Sequence, residues 1–304
     1  MVQIEKIAYG GWQNCTRISN EQVELIVTTD VGPRIIHYGF NEQHNELFVD
    51  EGTLGITGGD TWHVYGGHRL WTAPEDPIFT YRPDNMRLAI KIEENGLTAT
   101  QPVDPVSGIQ KSMRITLQDE NSRVFIEHLV KNHSDEELFI APWAITMMAT
   151  GGTAILPLPK RGSHPQNLLA TSSLALWPYT DMSDERWLWG HEYILLRQDI
   201  NAASSQKVGL NCPDGWAAYA NKQHVFIKLF THDTEVLYPD MNCNVEVFTN
   251  QDMLELESLA PFFSLPPGVS AMHMENWFLF DGIQPIAGEE QVRDMILPLV
   301  NSIR

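Results

Sequence analysis

The amino-acid sequence predicts an all-β protein, a large antiparallel β-sandwich with one short C-terminal helix. Three observations lead there. Apolar and polar residues alternate with period two through many short stretches, from 23–28 near the start to 269–280 near the end. Turn-forming groups such as Glu94-Asn95-Gly96, Asn250-Gln251-Asp252 and Pro266-Pro267-Gly268 separate these stretches at short intervals. Only one segment, close to the C-terminus, repeats with a helical period. Short alternating runs with regular turns are the pattern of a sandwich or barrel. With no repeat, low-complexity segment or linker between them, residues 1–304 read as a single domain.

Composition narrows the partners. Twenty basic against 39 acidic residues give a net charge of −19, which argues against nucleic acid or an anionic membrane surface as partner. Cys15, Cys212 and Cys243 are odd in number and widely spaced, with no CxxC pair, so a reducing compartment is expected. The start, MVQIEKIAYGGW, lacks a basic region followed by an apolar one, and no apolar run reaches membrane-spanning length. The expected location is the cytoplasm.

Taken in order, residues 1–50 hold short strand-like pieces, including 23–28 and 34–40. Arg34 opens the second of these, as a surface charge or as a group pointing into a cleft. Residues 51–80 have little periodicity and read as a loop carrying His63, Tyr65, His68, Arg69, Trp71, Glu75 and Asp76. Loops that gather aromatic and ionisable groups tend to carry function. The aromatic rings suit stacking on sugar C–H faces, and Arg69 and the histidines supply hydrogen bonds. His63, His68 and Glu75 offer metal-ligating atoms, but their spacing matches no compact ligand motif. No phosphate-loop pattern is present.

Strand signals recur at 86–93, 97–101, 110–117, 123–131 and 138–149. On the last of these, Trp143 and Thr146 fall on opposite faces, so at most one meets a cleft. Residues 151–190 bring Trp177, Tyr179, Trp187 and Trp189 together, as a cleft rim or as a packed loop. Strands resume at 193–198, 208–211, 215–220 and 225–231, the last carrying Lys228. Asp240 and Asn242 lie on the approach to a final set of three strands, 242–249, 253–259 and 269–280. On the middle one Glu255 and Glu257 share a face, with Leu254 and Leu256 opposite. That face suits a polar ligand, and equally an ordinary solvated sheet. The carboxylates stand side by side rather than across a bond, so the two-carboxylate geometry of glycoside hydrolysis is not evident. In the C-terminal segment Val292, Met295, Ile296, Leu299 and Val300 keep helical spacing, and Pro298 is expected to kink or end the helix.

Three segments together resemble the galactose mutarotase-like superfamily: HLVKNHSDEEL at 128–138, VYGGHRLWTAPE at 64–75, and MLELESLAPFFSLPPGVSAMHMENWFLF at 253–280. The resemblance covers most of the chain in order and stands apart from the well-studied sugar epimerases. It implies a supersandwich fold, a carbohydrate ligand and aldose 1-epimerase-like isomerase chemistry without a cofactor. It implies Glu255 as catalytic base, with Glu257 as the alternative, Arg69 as a sugar-binding residue, and His68 as a neighbouring polar ligand. In one place the chain departs from the pattern. Where the epimerases carry a general-acid histidine, it has Ala141-Pro142-Trp143-Ala144-Ile145-Thr146, so an acid must come from elsewhere, with His63 and His68 nearest in kind. The expected site therefore gathers Arg34, His63, His68, Arg69, Glu255 and Glu257, with Trp71 and Trp143 as stacking walls. Arg34, Arg69 and Lys228 are the partners available to a phosphorylated sugar. A non-catalytic sugar-binding module and a metal-binding β protein are the alternatives.

Overall fold

The computed structural model describes residues 1–304 as two large antiparallel sheets packed face to face. One sheet runs in the order Gln3–Tyr9, Trp12–Ser19, Val23–Thr28, Arg34–Phe40, His68–Ala73, Leu138–Met148, Leu254–Leu259, Val245–Thr249, Gln206–Leu210 and Leu174–Leu176. Phe263–Leu265 pairs alongside Leu138–Met148. The other runs Trp187–Trp189, Tyr193–Arg197, Thr153–Pro157, Trp216–Asn221, His224–Phe230, Ser270–Phe280, Val124–Asn132, Ile109–Leu117, Gly96–Thr100 and Ala89–Glu93. This is the predicted all-β sandwich. No helix is long and apolar enough to cross a membrane.

The period-two alternation explains the packing. Leu25, Val27, Leu70, Val245, Val247, Leu254 and Leu256 turn inward from the first sheet. They meet Ile115, Ile126, Val130, Phe226, Trp277 and Leu279 from the second. Burial of these side chains is the main favourable contribution to folding.

The sequence reading and the structure differ in two places that matter. Residues 68–73 form a central strand rather than a loop, because both neighbours, Arg34–Phe40 and Leu138–Met148, pair with it. The strand expected over 242–249 starts only at Val245, because the approach to it is a tight turn in which Asp240, Met241 and Asn242 all have positive φ. The C-terminal segment is helical, but Val292–Ile296 widens into a π-turn. Pro298 has no N–H to offer Asp294, so the turn ahead of it is free to open. The segment buries Val292, Ile296 and Val300 against Ile155, Tyr193 and Ile227 on the outer side of the second sheet.

A polar network is sealed between the sheets. From the first sheet come His68, Thr146 and Ser258, and from the second His128, His273, Glu275 and Lys228, none more than 3% exposed. His128 Nδ1 lies 3.1 Å from the His273 carbonyl, which only a donor can approach, leaving His128 Nε2 as acceptor in the neutral ring. His68 Nε2–H then donates to it at 2.7 Å, and His68 Nδ1 accepts from Thr146 Oγ1 at 2.9 Å. His273 Nε2 donates to Ser258 Oγ, which donates to Glu275. Glu275 also accepts from Trp277 Nε1 at 2.8 Å and pairs with Lys228 Nζ at 2.8 Å. Lys228 also donates to the Leu256 carbonyl at 3.0 Å.

Lys228→Met would leave the Glu275 charge buried without its cation. Unfolding free energy is expected to drop by about 3–5 kcal/mol, with much of it restored in the Lys228→Met/Glu275→Gln double variant. Urea denaturation of both variants measures this; an unshifted midpoint in the single variant would show the pair to be dispensable.

Candidate functional site

The opposite face of the first sheet builds the site. Three rows of side chains cross its central strands. Arg69, Ile145, Glu257, Glu246 and Gly209 are successive cross-strand neighbours in one row. Met147, Glu255, Phe248 and Lys207 form the next, and Trp71, Trp143 and Leu259 the third. Gly209 has a steric reason to lack a side chain: a Cβ there would stand 2.8 Å from Cys243 Sγ and 3.2 Å from Glu246 Cγ. Its absence leaves room for the Glu246 side chain, which pairs with Lys207.

Two cations organise this surface. Arg69 Nη2 donates to Glu255 Oε1 at 3.2 Å, and its guanidinium carbon stands 3.9 Å from the Trp71 ring centre and 5.4 Å from that of Trp62. Its Nε and Nη1 are buried without a partner. Lys207 Nζ lies 2.8 Å from Glu246 and 3.1 Å from Glu257, and 4.8 and 4.6 Å from the Trp143 and Trp177 ring centres. Trp143 Nε1 donates to the same Glu257 oxygen at 2.7 Å, while the second Glu257 oxygen is unpaired. These contacts surround a cavity of about 210 Å³, whose mouth is framed by Trp62, Tyr81, Tyr179, Phe248, Met253 and Glu75.

Burial sets the proton affinities. It pushes the Glu255 carboxyl up to about 7; Arg69 opposes that shift and Glu257 adds to it. Burial alone would lower Lys207, but Glu246 and Glu257 outweigh it and hold the ammonium charged. Tyr81 is pushed up to about 12 by burial and by its hydrogen bond to Glu75. The cleft thus contains one group able to gain or lose a proton near neutrality, beside a guanidinium with free donors. A larger hollow of about 580 Å³ lies by Trp187, Arg197, His224 and Ile286. Arg186 and Arg197 there are paired with Asp184 and Asp199, His224 is hydrogen-bonded to Glu46, and none of the residues predicted for the site lines it.

The structure brings Arg69, Glu255, Trp71 and Trp143 together at the cleft, with Glu257 directly beneath Lys207. The other expected residues lie elsewhere. His68 and Arg69 are consecutive on a strand, so when Arg69 faces the cleft His68 must face the interior, where it is fully buried. Lys228 belongs to the second sheet and points into the same interior. Arg34 is fully buried under the 64–66 turn, donating to the Val64 and Gly66 carbonyls and pairing with Asp84. It clamps that loop rather than a ligand. His63 packs against Tyr65, ring centres 5.4 Å apart, and does not line the cleft. Asn242 accepts from the Tyr238 amide to hold the turn, and the Asp240 carbonyl accepts from Cys243 Sγ. Neither residue lines the cleft. With His68 interior and Glu75 exposed at the cleft mouth, His63, His68 and Glu75 cannot meet at one ion.

Sequence reasoning missed Lys207 and Glu246. The strand Gln206–Leu210 begins earlier than its apolar run, which hid Lys207. Glu246 was findable, because it alternates with Phe248 on the strand beside Glu255 and Glu257.

Comparison with protein-family models and with curated protein sequences finds no match. Solved structures do match. A TPR-domain containing protein from Parabacteroides distasonis superposes with a TM-score of 0.58 at 13% identity, over 90% of this chain and 48% of the other. The chain thus spans about half the length of that protein. A galactose mutarotase-like protein from Lactobacillus casei gives a TM-score of 0.56 at 8% identity, over 88% of this chain and all of the other. A galactose mutarotase related enzyme from Lactobacillus acidophilus also gives 0.56 at 8% identity, over 90% and 100%. The chain shares the galactose mutarotase-like fold.

Proposed function

We propose that the cleft binds a single monosaccharide ring and that Glu255 interconverts its anomers, as in an aldose 1-epimerase-like isomerase. The observation that carries this reading is the Arg69–Glu255 pair in a small cavity lined by Trp62, Trp71, Trp143, Tyr81 and Tyr179. The aromatic walls suit the C–H faces of a sugar, and the two free Arg69 donors suit its hydroxyls. At about 210 Å³ the cavity is smaller than the ~300–1,000 Å³ typical of pockets for drug-sized ligands, which favours one ring over an oligosaccharide. The fold shared with galactose mutarotase-like proteins supports the same reading.

No histidine lines the cleft, so the chemistry runs through one carboxylate. Glu255 takes the proton of the anomeric hydroxyl as the bond between C1 and the ring oxygen breaks. The electron pair of that bond passes to the ring oxygen, which takes the proton back from Glu255. The open aldehyde turns about its C1–C2 bond and recloses on the other face by the same steps in reverse. A group with a proton affinity near 7 suits both halves, because giving and taking then cost similar amounts. Arg69 holds the ring and offsets the developing negative charge on its oxygen.

The second reading, a module that binds sugar without turning it over, is favoured by the missing histidine. Polarimetry or anomeric-proton NMR on freshly dissolved α-aldoses, alongside calorimetry, separates the two. Faster equilibration with protein than without is expected. Binding without acceleration for every sugar would leave the module, and no binding by any sugar, acidic and phosphorylated ones included, would remove the carbohydrate assignment.

A further inference from the structure

Resting on the monosaccharide reading, we infer that the cleft selects by charge: it takes neutral sugars, holds amino sugars bearing a ring ammonium most tightly, and rejects phosphorylated and carboxylated ones. The argument is a count of charges and of the partners already engaged. Four carboxyl groups converge on the cavity or directly behind it, Glu75, Glu246, Glu255 and Glu257, against two cations, Arg69 and Lys207; burial pushes Glu246 well up toward its neutral form, so the surplus over the cations rests on Glu75, Glu255 and Glu257.

Neither cation is available to an anion. Lys207 lies between Glu246 and Glu257 with its remaining surroundings taken by the Trp143 and Trp177 rings, and only 5% of its side chain is exposed. Arg69 has two free donors, yet its charge is matched by Glu255 at 3.2 Å and its flat face is covered by Trp71. Free donors without free charge suit hydroxyl oxygens. A phosphate would bring about two negative charges into this surplus of carboxylates, with no cation left to meet them.

A cation finds the reverse. Glu255 spends one oxygen on Arg69, and Glu75, at the mouth, is bonded only to the Tyr81 hydroxyl. The Trp62 and Tyr81 rings at the entrance add faces that attract an ammonium. The orphaned, fully buried oxygen of Glu257 marks the same electron-rich floor.

Calorimetry at pH 7.5 with one hexose, its 2-amino derivative, its N-acetyl-2-amino derivative and its 6-phosphate tests the inference. The amino sugar is expected to bind about tenfold tighter than the parent, and the phosphate at least about tenfold weaker. The N-acetyl sugar keeps the nitrogen without its charge and is expected to lose the gain. The amino-to-parent ratio should shrink as salt is raised, and shrink again in Glu255→Gln. A parent hexose that binds while its amino derivative binds no tighter, or while its phosphate binds as well or better, would overturn the charge selection and leave the monosaccharide reading intact. Failure of all four sugars to bind would sink both.

Discussion

Replacing Glu255 with Gln is expected to abolish any acceleration of anomer exchange while leaving the affinity for a neutral aldose within a few-fold. Loss of a general base costs ~10²–10⁴-fold in rate, whereas the amide keeps the shape and an oxygen able to accept from Arg69. The pH profile gives an independent check. The carboxylate form starts the reaction, so the rate should climb as pH rises through about 7 and then level off. Substitution at the neighbouring Glu257 should read differently. That residue holds Lys207 and Trp143, so its loss should disturb the cleft floor and weaken binding along with rate. A Glu255→Gln variant as fast as the parent, in a protein that accelerates exchange, would move the base elsewhere.

The second large effect is acid instability. Burial holds His128 down to about 4 and His273 down to about 3, and keeps His68 well below its ordinary 6.5. Unfolding frees all three to take a proton at about 6.5. Between that value and the folded ones the unfolded chain binds more protons, so stability is complete above pH 6.5 and falls with pH below it. Glu255 works against this between 4.5 and about 7, because its folded form binds the extra proton. Glu46 and Glu246, also pushed up by burial, act with Glu255, whereas His37, His44 and His232, pushed down by burial, act with the three interior histidines, so the depressed histidines outnumber the raised carboxyls and stability falls with pH below 6.5. Glu275 adds to the loss lower down, since Lys228 and the histidines outweigh its burial and depress it far below 4.5. Urea titrations at pH 7.5, 6.0 and 5.0 should show a midpoint that falls at each step. A flat midpoint across that range would mean that the interior histidines are not held neutral.

The fold was legible because period-two alternation survives in nearly every strand, and the same rule put Glu255 and Glu257 on one face. The failures at the site come from places where that rule was not applied or had too little to work on. Residues 68–73 sit among glycines and prolines, and so read as loop; without a strand there was no parity to send His68 inward as Arg69 turned outward. Arg34 and Lys228 are single charges in apolar strands, and nothing local distinguishes a cleft ligand from a buried clamp. Their partners, Asp84 and Glu275, lie far away along the chain, a pairing only tertiary structure reveals. Lys207 poses the same difficulty, since the carboxylates that fix it belong to two other strands.

The central strands that carry the cleft are covered on both sides, by the ligand-facing groups in front and the sealed histidine network behind. Each alternate residue of His68–Ala73 and Leu254–Leu259 therefore answers to a different neighbour, and no position on them is idle. Change in what the cleft accepts has to enter at its margins. Trp62, Glu75, Tyr81 and Tyr179 stand outside the strands and reach over the opening, where they meet the floor only through ring and cation contacts with Arg69, Trp71 and Phe248 and leave the strand pairing untouched. A lineage or a laboratory altering sugar preference would be expected to accumulate its substitutions at those four positions, while the floor stays fixed.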